Sequence, residues 1–107
     1  MKLLTQELLG KFAKVGRQEH NPDPIVVAKF FNPCGTATWL ATEFYPEDRL
    51  FFGYVSLFND PFCNELGYFS LDELQAIRTM PFGLGIERDL YFSPAPLSVV
   101  KKQERIH

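Results

Sequence analysis

The residues with most potential for chemistry are carboxylates. Glu87-Arg88-Asp89 sets two acids two positions apart, and in a strand Glu87 and Asp89 project to the same side. With Glu43 they make a trio able to bind Mg²⁺ through hard oxygen ligands or to act as an acid–base pair. No nucleophile or histidine stands at a motif spacing beside them. His20 falls in a polar loop and His107 ends the chain. Arg88 between two acids is also the ordinary pattern of surface ion pairs. Gly83-x-Gly85 follows a helical stretch and precedes a strand-like one, the reverse of a dinucleotide loop. The two cysteines, Cys34 and Cys63, form no Cys-x-x-Cys pair, so a zinc site is not expected. These patterns call for no cofactor and no metal.

Two other groupings suit recognition rather than catalysis. Between Glu43 and Glu73 the chain carries Glu43, Glu47, Asp48, Asp60, Glu65, Asp72 and Glu73 against Arg49 alone, a formal −6. Gathered on one rim, these acids would meet the basic groove of a partner and speed the encounter. The simpler reading is solvated turns and a helix start, where the dipole favours anions. The other grouping is Lys29, Trp39 and Tyr54. With the first hairpin centred near Cys34, Lys29 faces Trp39, and the next hairpin brings Tyr54 to the same side. A cation over an indole beside a phenol makes a recognition platform; a core edge with a snorkelling lysine is the alternative.

The elements that must position these groups follow from local pattern. Glu65-Leu66-Gly67-Tyr68-Phe69 suits a strand and Ser70-Leu71-Asp72-Glu73-Leu74 a capped helix, with Ser70 as N-cap and Glu73 completing a capping box. An opening helix begins after Thr5, with Leu4 and Leu9 placed as a staple and Leu8, Phe12 and Val15 as its apolar stripe. Asn21-Pro22-Asp23-Pro24 then breaks regular structure. Strand-like runs at 25–31, 36–45 and 50–58 are joined by Asn32-Pro33-Cys34-Gly35 and Pro46-Glu47-Asp48-Arg49, links short enough for antiparallel hairpins. After the helix that runs from Leu71 to about Arg78, Met80-Pro81-Phe82-Gly83-Leu84-Gly85 makes a turn, 86–92 a further strand, and 97–103 a last short helix. The basic end, about 101–107, is expected to be frayed and solvated.

Both sides of the central strands carry bulky apolar groups. Helices must therefore cover one face, leaving the other to loops, the tail, a second subunit or a partner. Along the second run, strict alternation puts Thr38, Leu40, Thr42 and Phe44 on one side and Trp39, Ala41, Glu43 and Tyr45 on the other. In such a meander Cys34 and Cys63 sit on one rim about 10 Å apart, beyond disulfide reach, so both are expected reduced.

Composition narrows the class. The 107 residues fit one domain, 46% of them are hydrophobic and 11 are Phe, enough for a core without staples. A formal charge of −2 gives no overall pull towards nucleic acid or anionic membrane. No stretch approaches the roughly 18 apolar residues of a membrane span, and the first residues run into a polar helix rather than a signal-peptide core. A soluble cytoplasmic protein is expected.

Taken together, Pro24-Ile25-Val26-Val27-Ala28-Lys29-Phe30-Phe31, Thr38-Trp39-Leu40-Ala41-Thr42-Glu43-Phe44, Phe51-Phe52-Gly53, Glu65-Leu66-Gly67-Tyr68-Phe69-Ser70-Leu71 and Gly85-Ile86-Glu87-Arg88-Asp89-Leu90 resemble a bacterial domain-of-unknown-function family. The resemblance covers residues 3–97. It implies short single domains carried by plasmids, integrative elements and phages, often near antirestriction genes. It implies no reaction and carries over no catalytic residue.

The combined expectation is an α+β domain with an antiparallel meander of four or five strands and two or three short helices mainly on one face. The favoured function is a non-enzymatic protein-binding module of mobile elements, acting on a host defence or DNA-processing protein. Its partner-binding candidates are Lys29, Trp39, Glu43, Tyr54, Glu65, Tyr68, Glu87, Arg88 and Asp89. One rival is a small metal-dependent hydrolase or nucleotide-binding enzyme using Glu43, Glu87 and Asp89. Another is a weak DNA-binding accessory protein, which needs the basic first helix and the basic tail to form one stripe.

Overall fold

The computed structural model describes residues 2–58, 60–79 and 82–106. The first residue of the 59–64 loop, the two at the start of the 80–85 turn and the terminal histidine lie outside them. Helix α1 (Gln6–Val15) starts where expected, with the Leu8 N–H donating to Thr5 Oγ1 at 3.2 Å. Gly16, at φ 68°, ends it in the left-handed region that favours glycine. Then come β1 (Ile25–Val26), β2 (Ala28–Phe31), β3 (Thr38–Tyr45), β4 (Leu50–Ser56), β5 (Glu65–Ser70) and α2 (Leu71–Ala76). The chain closes with β6 (Arg78–Thr79), β7 (Leu84–Gly85), β8 (Glu87–Arg88), β9 (Ala95–Pro96) and α3 (Leu97–Gln103).

The main sheet has five antiparallel strands in the order β5-β4-β3-β2-β8. Four of them are the expected meander. With three short helices packed on it, this is the α+β architecture that the apolar pattern implies. One face, called here the first, carries Phe30, Trp39, Ala41, Phe44, Phe51 and Phe69. There Leu8 and Phe12 of α1 and Leu71 and Leu74 of α2 complete the larger core. Phe51 is its centre, with ring centroids 4.7 Å from Phe44, 5.1 Å from Phe30, 5.3 Å from Phe69 and 5.8 Å from Phe12. The second face is covered in part by α3, whose Val100 packs with Val26, Leu40 and Tyr54.

The joint between sheet and α2 is held twice. The Glu73 N–H donates to Ser70 Oγ at 3.2 Å, and the Leu71 N–H donates to the Arg49 carbonyl at 3.0 Å. Arg49 itself binds Asp72 through Nε and Nη2, at 2.9 and 2.8 Å.

Several boundaries differ from the sequence reading. Helix α2 stops at Ala76, and Arg78–Thr79 turns back to pair with Leu84–Gly85. The strand expected over 86–92 contracts to β8, because the Asp89 side chain accepts the Tyr91 N–H at 2.9 Å and bends the chain away in an Asx turn. The first strand run splits at Val27, so that β1 leaves the main sheet to pair with β9.

The tail also differs from a frayed end. Helix α3 has no side-chain cap of its own. Instead Asp23, from the proline-rich loop, accepts the Ser98 N–H at 2.8 Å and the Ser98 hydroxyl at 2.6 Å. Further on, Glu104 pairs with Lys29 at 2.6 Å and Ile106 packs against the second-face cluster.

Two outcomes test this arrangement. A Cβ on Gly53 would collide with the Leu40 carbonyl and lie 2.9 Å from Ala41 Cα, whereas at Gly67, in register with it on β5, a Cβ meets nothing within 4 Å. Gly53→Ala therefore lowers unfolding free energy by about 1–3 kcal/mol in urea titrations, and Gly67→Ala leaves it nearly unchanged. The bonds from Ser98, its hydroxyl first, hold the Asp23 carboxyl below the usual carboxylate value. The contribution of this depressed group is complete above the ordinary carboxylate value and is lost as pH falls through the lowered one. Amide exchange then shows α3 protected until that acid limit, and Asp23→Ala shows it weakly protected at neutral pH.

Candidate functional site

One irregularity in β3 decides what the second face displays. Ala41 pairs with Gly53 and Glu43 with Phe52, leaving Thr42 as an extra residue in a β-bulge. Two side chains hold it there. Gln18, 8% exposed, donates from Nε2 to the Thr42 carbonyl at 2.7 Å and to the Ile25 carbonyl at 2.8 Å, and its Oε1 accepts the Ile25 N–H at 2.6 Å. The Thr42 hydroxyl donates to the Phe52 carbonyl at 3.0 Å. The bulge shifts the phase of everything after it: Phe44 turns into the first core beside Phe51, while Glu43 and Tyr45 turn to the second face.

There they enter a cleft of about 400 Å³. Glu43 and Thr42 lie against Gln18 on one side, Tyr45, Phe52, Leu66 and Tyr68 form an aromatic and apolar wall, and Pro22, Pro24 and Leu97 face them. Glu43 is only 6% exposed, and Oε1 accepts the Tyr45 hydroxyl at 2.7 Å. The Tyr68 ring packs edge-on to Phe52 at 4.9 Å and lies 6.2 Å from the Tyr45 ring. Burial, then the bond to Glu43 and its charge, push the Tyr45 hydroxyl up to about 12, although Arg17, 5.9 Å from the Tyr45 ring centre, pulls the other way. The arrangement is a fixed carboxylate against π faces, opening to solvent past Tyr68.

The other candidates are distributed differently. In the β2–β3 register Trp39 faces Phe30, and Lys29 faces Leu40. The expected platform is therefore not formed, because the turn centre lies half a residue later than Cys34 and the offset reverses the side on which every side chain falls. Trp39 is buried in the first core. Lys29 and Tyr54 flank Leu40 on the second face, beneath the tail. Lys29, whose side chain is 13% exposed, pairs with Glu104 and, at 3.6 Å, with Asp89. Lys101 places Nζ 4.4 Å over the Tyr54 ring.

Glu87, Arg88 and Asp89 border a separate hollow of about 300 Å³ with Lys29 and Phe31 at the β8 edge. Glu43 is not part of it, so the trio of Glu43, Glu87 and Asp89 does not converge. Among the described residues no three His, Cys, Asp or Glu side chains are grouped to hold a metal ion.

The acidic run is scattered as well. Glu47 and Asp48 sit on the β3–β4 turn, Asp72 is bound by Arg49, and Asp60 accepts the Phe62 N–H at 2.9 Å within its own loop. Glu65 stands at the far end, opposite Val55 on the first face, and Glu43 is buried. The basic residues of α1 and of the tail fall on opposite faces of the sheet and form no single stripe. Cys34 and Cys63 are both free and exposed. Among the described residues no helix is long and apolar enough to cross a membrane.

Of the cleft, the sequence reading singled out Glu43 and Tyr68 and missed Gln18, Thr42, Tyr45, Phe52 and Leu66 as site residues. One signal was present: the apolar series Trp39, Ala41, Phe44 changes phase across Thr42, the mark of an extra strand residue.

A titration tests the Glu43–Tyr45 pair. Tyr45 ionises near 12 rather than the ordinary 10. Between those values the unfolded chain has released this proton and the folded chain has not, so stability falls as pH rises across the window. Tyrosinate absorbance resolves the late step in the wild type, and Glu43→Gln moves it part of the way back towards 10 because the burial remains.

Comparison with curated proteins and with solved structures gives no match. A family model does match, over residues 3–106, and so takes in the tail as well as the sheet. The chain belongs to DUF2958, a family described as protein of unknown function.

Proposed function

We propose that this chain is a non-enzymatic protein-binding module whose partner docks along β5 and over the adjoining cleft. The observation that carries the reading is the outer edge of the sheet. β5 ends the strand order, and it exposes Leu66 and Tyr68, at 52% and 65%, on the side where the cleft opens. An edge strand with apolar side chains exposed is a template for an added strand unless something covers it. A bulge in β3, two strands in from that edge, re-aims a carboxylate into a concave, partly apolar site, which is where ligands are held. The rival enzyme draws no support from the placement of its carboxylates, which stand at two separate hollows. The resemblance to proteins of plasmids, integrative elements and phages favours a host defence or DNA-processing protein as the partner.

Affinity capture from a bacterial host lysate tests the proposal. The wild-type chain retains a defined protein after nuclease treatment, the Leu66→Ser, Tyr68→Ser double variant loses it, and Phe62→Ser, altered at an exposed site in the β4–β5 loop, keeps it. Capture that ignores the double variant, or that vanishes with nuclease, contradicts the reading.

A further inference from the structure

Resting on that docking reading, we infer that the cleft is a receptor for one cationic side chain, a lysine or arginine, presented by the part of the docked partner that lies over the second face. The chemistry of the lining is one-sided. Glu19 and Glu43 are its charged members, and no lysine or arginine lines it among the described residues. Glu43 is almost fully buried, yet among the described residues its one polar partner is the Tyr45 hydroxyl, and no cation pairs with it. A carboxylate offers room for several donors, and burying it without a counter-charge is costly. A cation arriving from a partner supplies the missing charge.

The wall fits the same guest. Tyr45, Phe52 and Tyr68 present ring faces and edges around the carboxylate, and π faces attract ammonium and guanidinium groups most strongly where water is excluded. Leu66, Pro22, Pro24 and Leu97 provide apolar surface for the aliphatic stem of such a side chain. Arg17, which lies over the Tyr45 ring, is exposed and is not part of the cleft lining. The bulge adds selectivity: with Thr42 and Gln18 fixed by hydrogen bonds, Glu43 cannot swing out to meet an arbitrary charge.

The test uses the full chain and three blocked tripeptides, Ac-Val-Lys-Val-NH₂, its arginine counterpart and its norleucine counterpart, titrated by amide NMR. The lysine and arginine peptides bind at least tenfold more tightly than the norleucine peptide, and their shifts centre on the amides of Glu43, Tyr45, Phe52 and Tyr68. Glu43→Gln, whose amide oxygen still accepts the Tyr45 hydroxyl, keeps the fold and removes the preference. Tyr68→Ser, at an exposed position, reduces binding of the cationic peptides if the first variant is poorly folded. Equal affinity for all three peptides, or cation-dependent shifts spread over Glu47, Asp48 and Glu65, overturns the inference. That failure, with partner capture still dependent on Leu66 and Tyr68, leaves docking intact; cation preference in the cleft with capture indifferent to β5 removes docking alone.

Discussion

The structure depends on one residue out of phase. Thr42 is accommodated because Gly53 lets the β4 backbone approach Leu40 and Ala41 more closely than any side chain allows. It is held because Gln18 uses both the NH₂ and the carbonyl oxygen of its side-chain amide on backbone partners. Losing either support leaves buried polar groups unpaired or forces backbone atoms together, each comparable with a large share of a small domain's net stability. The bulge serves both faces at once. It places Phe44 against Phe51 in the aromatic core, and it turns Glu43 and Tyr45 to the opposite side.

The position of the tail then determines which part of the second face remains open. Helix α3 starts from the capping carboxylate of Asp23 and ends near the Lys29–Glu104 pair, so it lies over Leu40 and Tyr54. The row that holds Glu43, Phe52 and Tyr68 is not part of that cluster, and Leu97, the first residue of α3, lines the cleft. The half-buried cation Lys29 is best understood in this setting. It ties the tail and the β8 edge to β2, and removing it would strand Glu104 and Asp89 beside each other.

Much of this architecture was legible in local chemistry. Thr5 and Ser70 mark helix starts because a hydroxyl can accept an orphan N–H there, and short polar links between apolar runs specify antiparallel hairpins. The last helix was also visible, although its anchorage was not, since Asp23 and Ser98 meet only across the fold. Register was harder. Parity of the 32–37 turn separates Trp39 from Lys29, and a half-residue change in turn centre is not encoded by Asn, Pro or Gly alone. The bulge was hidden for a related reason: period-two reading assumes uninterrupted alternation, and Gln18, which stabilises the interruption, looks like any polar loop residue. Strand β8 ended early because Asp89 bonds to its own chain, a local competition that apolar periodicity does not register.

The claim on which the account rests is that residues 43–45 are reversed relative to simple alternation. Side-chain nuclear Overhauser contacts measure this directly on the full chain. The account predicts contacts from the Phe44 ring to Phe51 and Phe12, whose centroids lie 4.7 and 6.1 Å away, together with contacts from Glu43 and Tyr45 to the Phe52 and Tyr68 rings. Contacts from Phe44 to Leu50 and Phe52, with Glu43 seen beside Phe51, would contradict it.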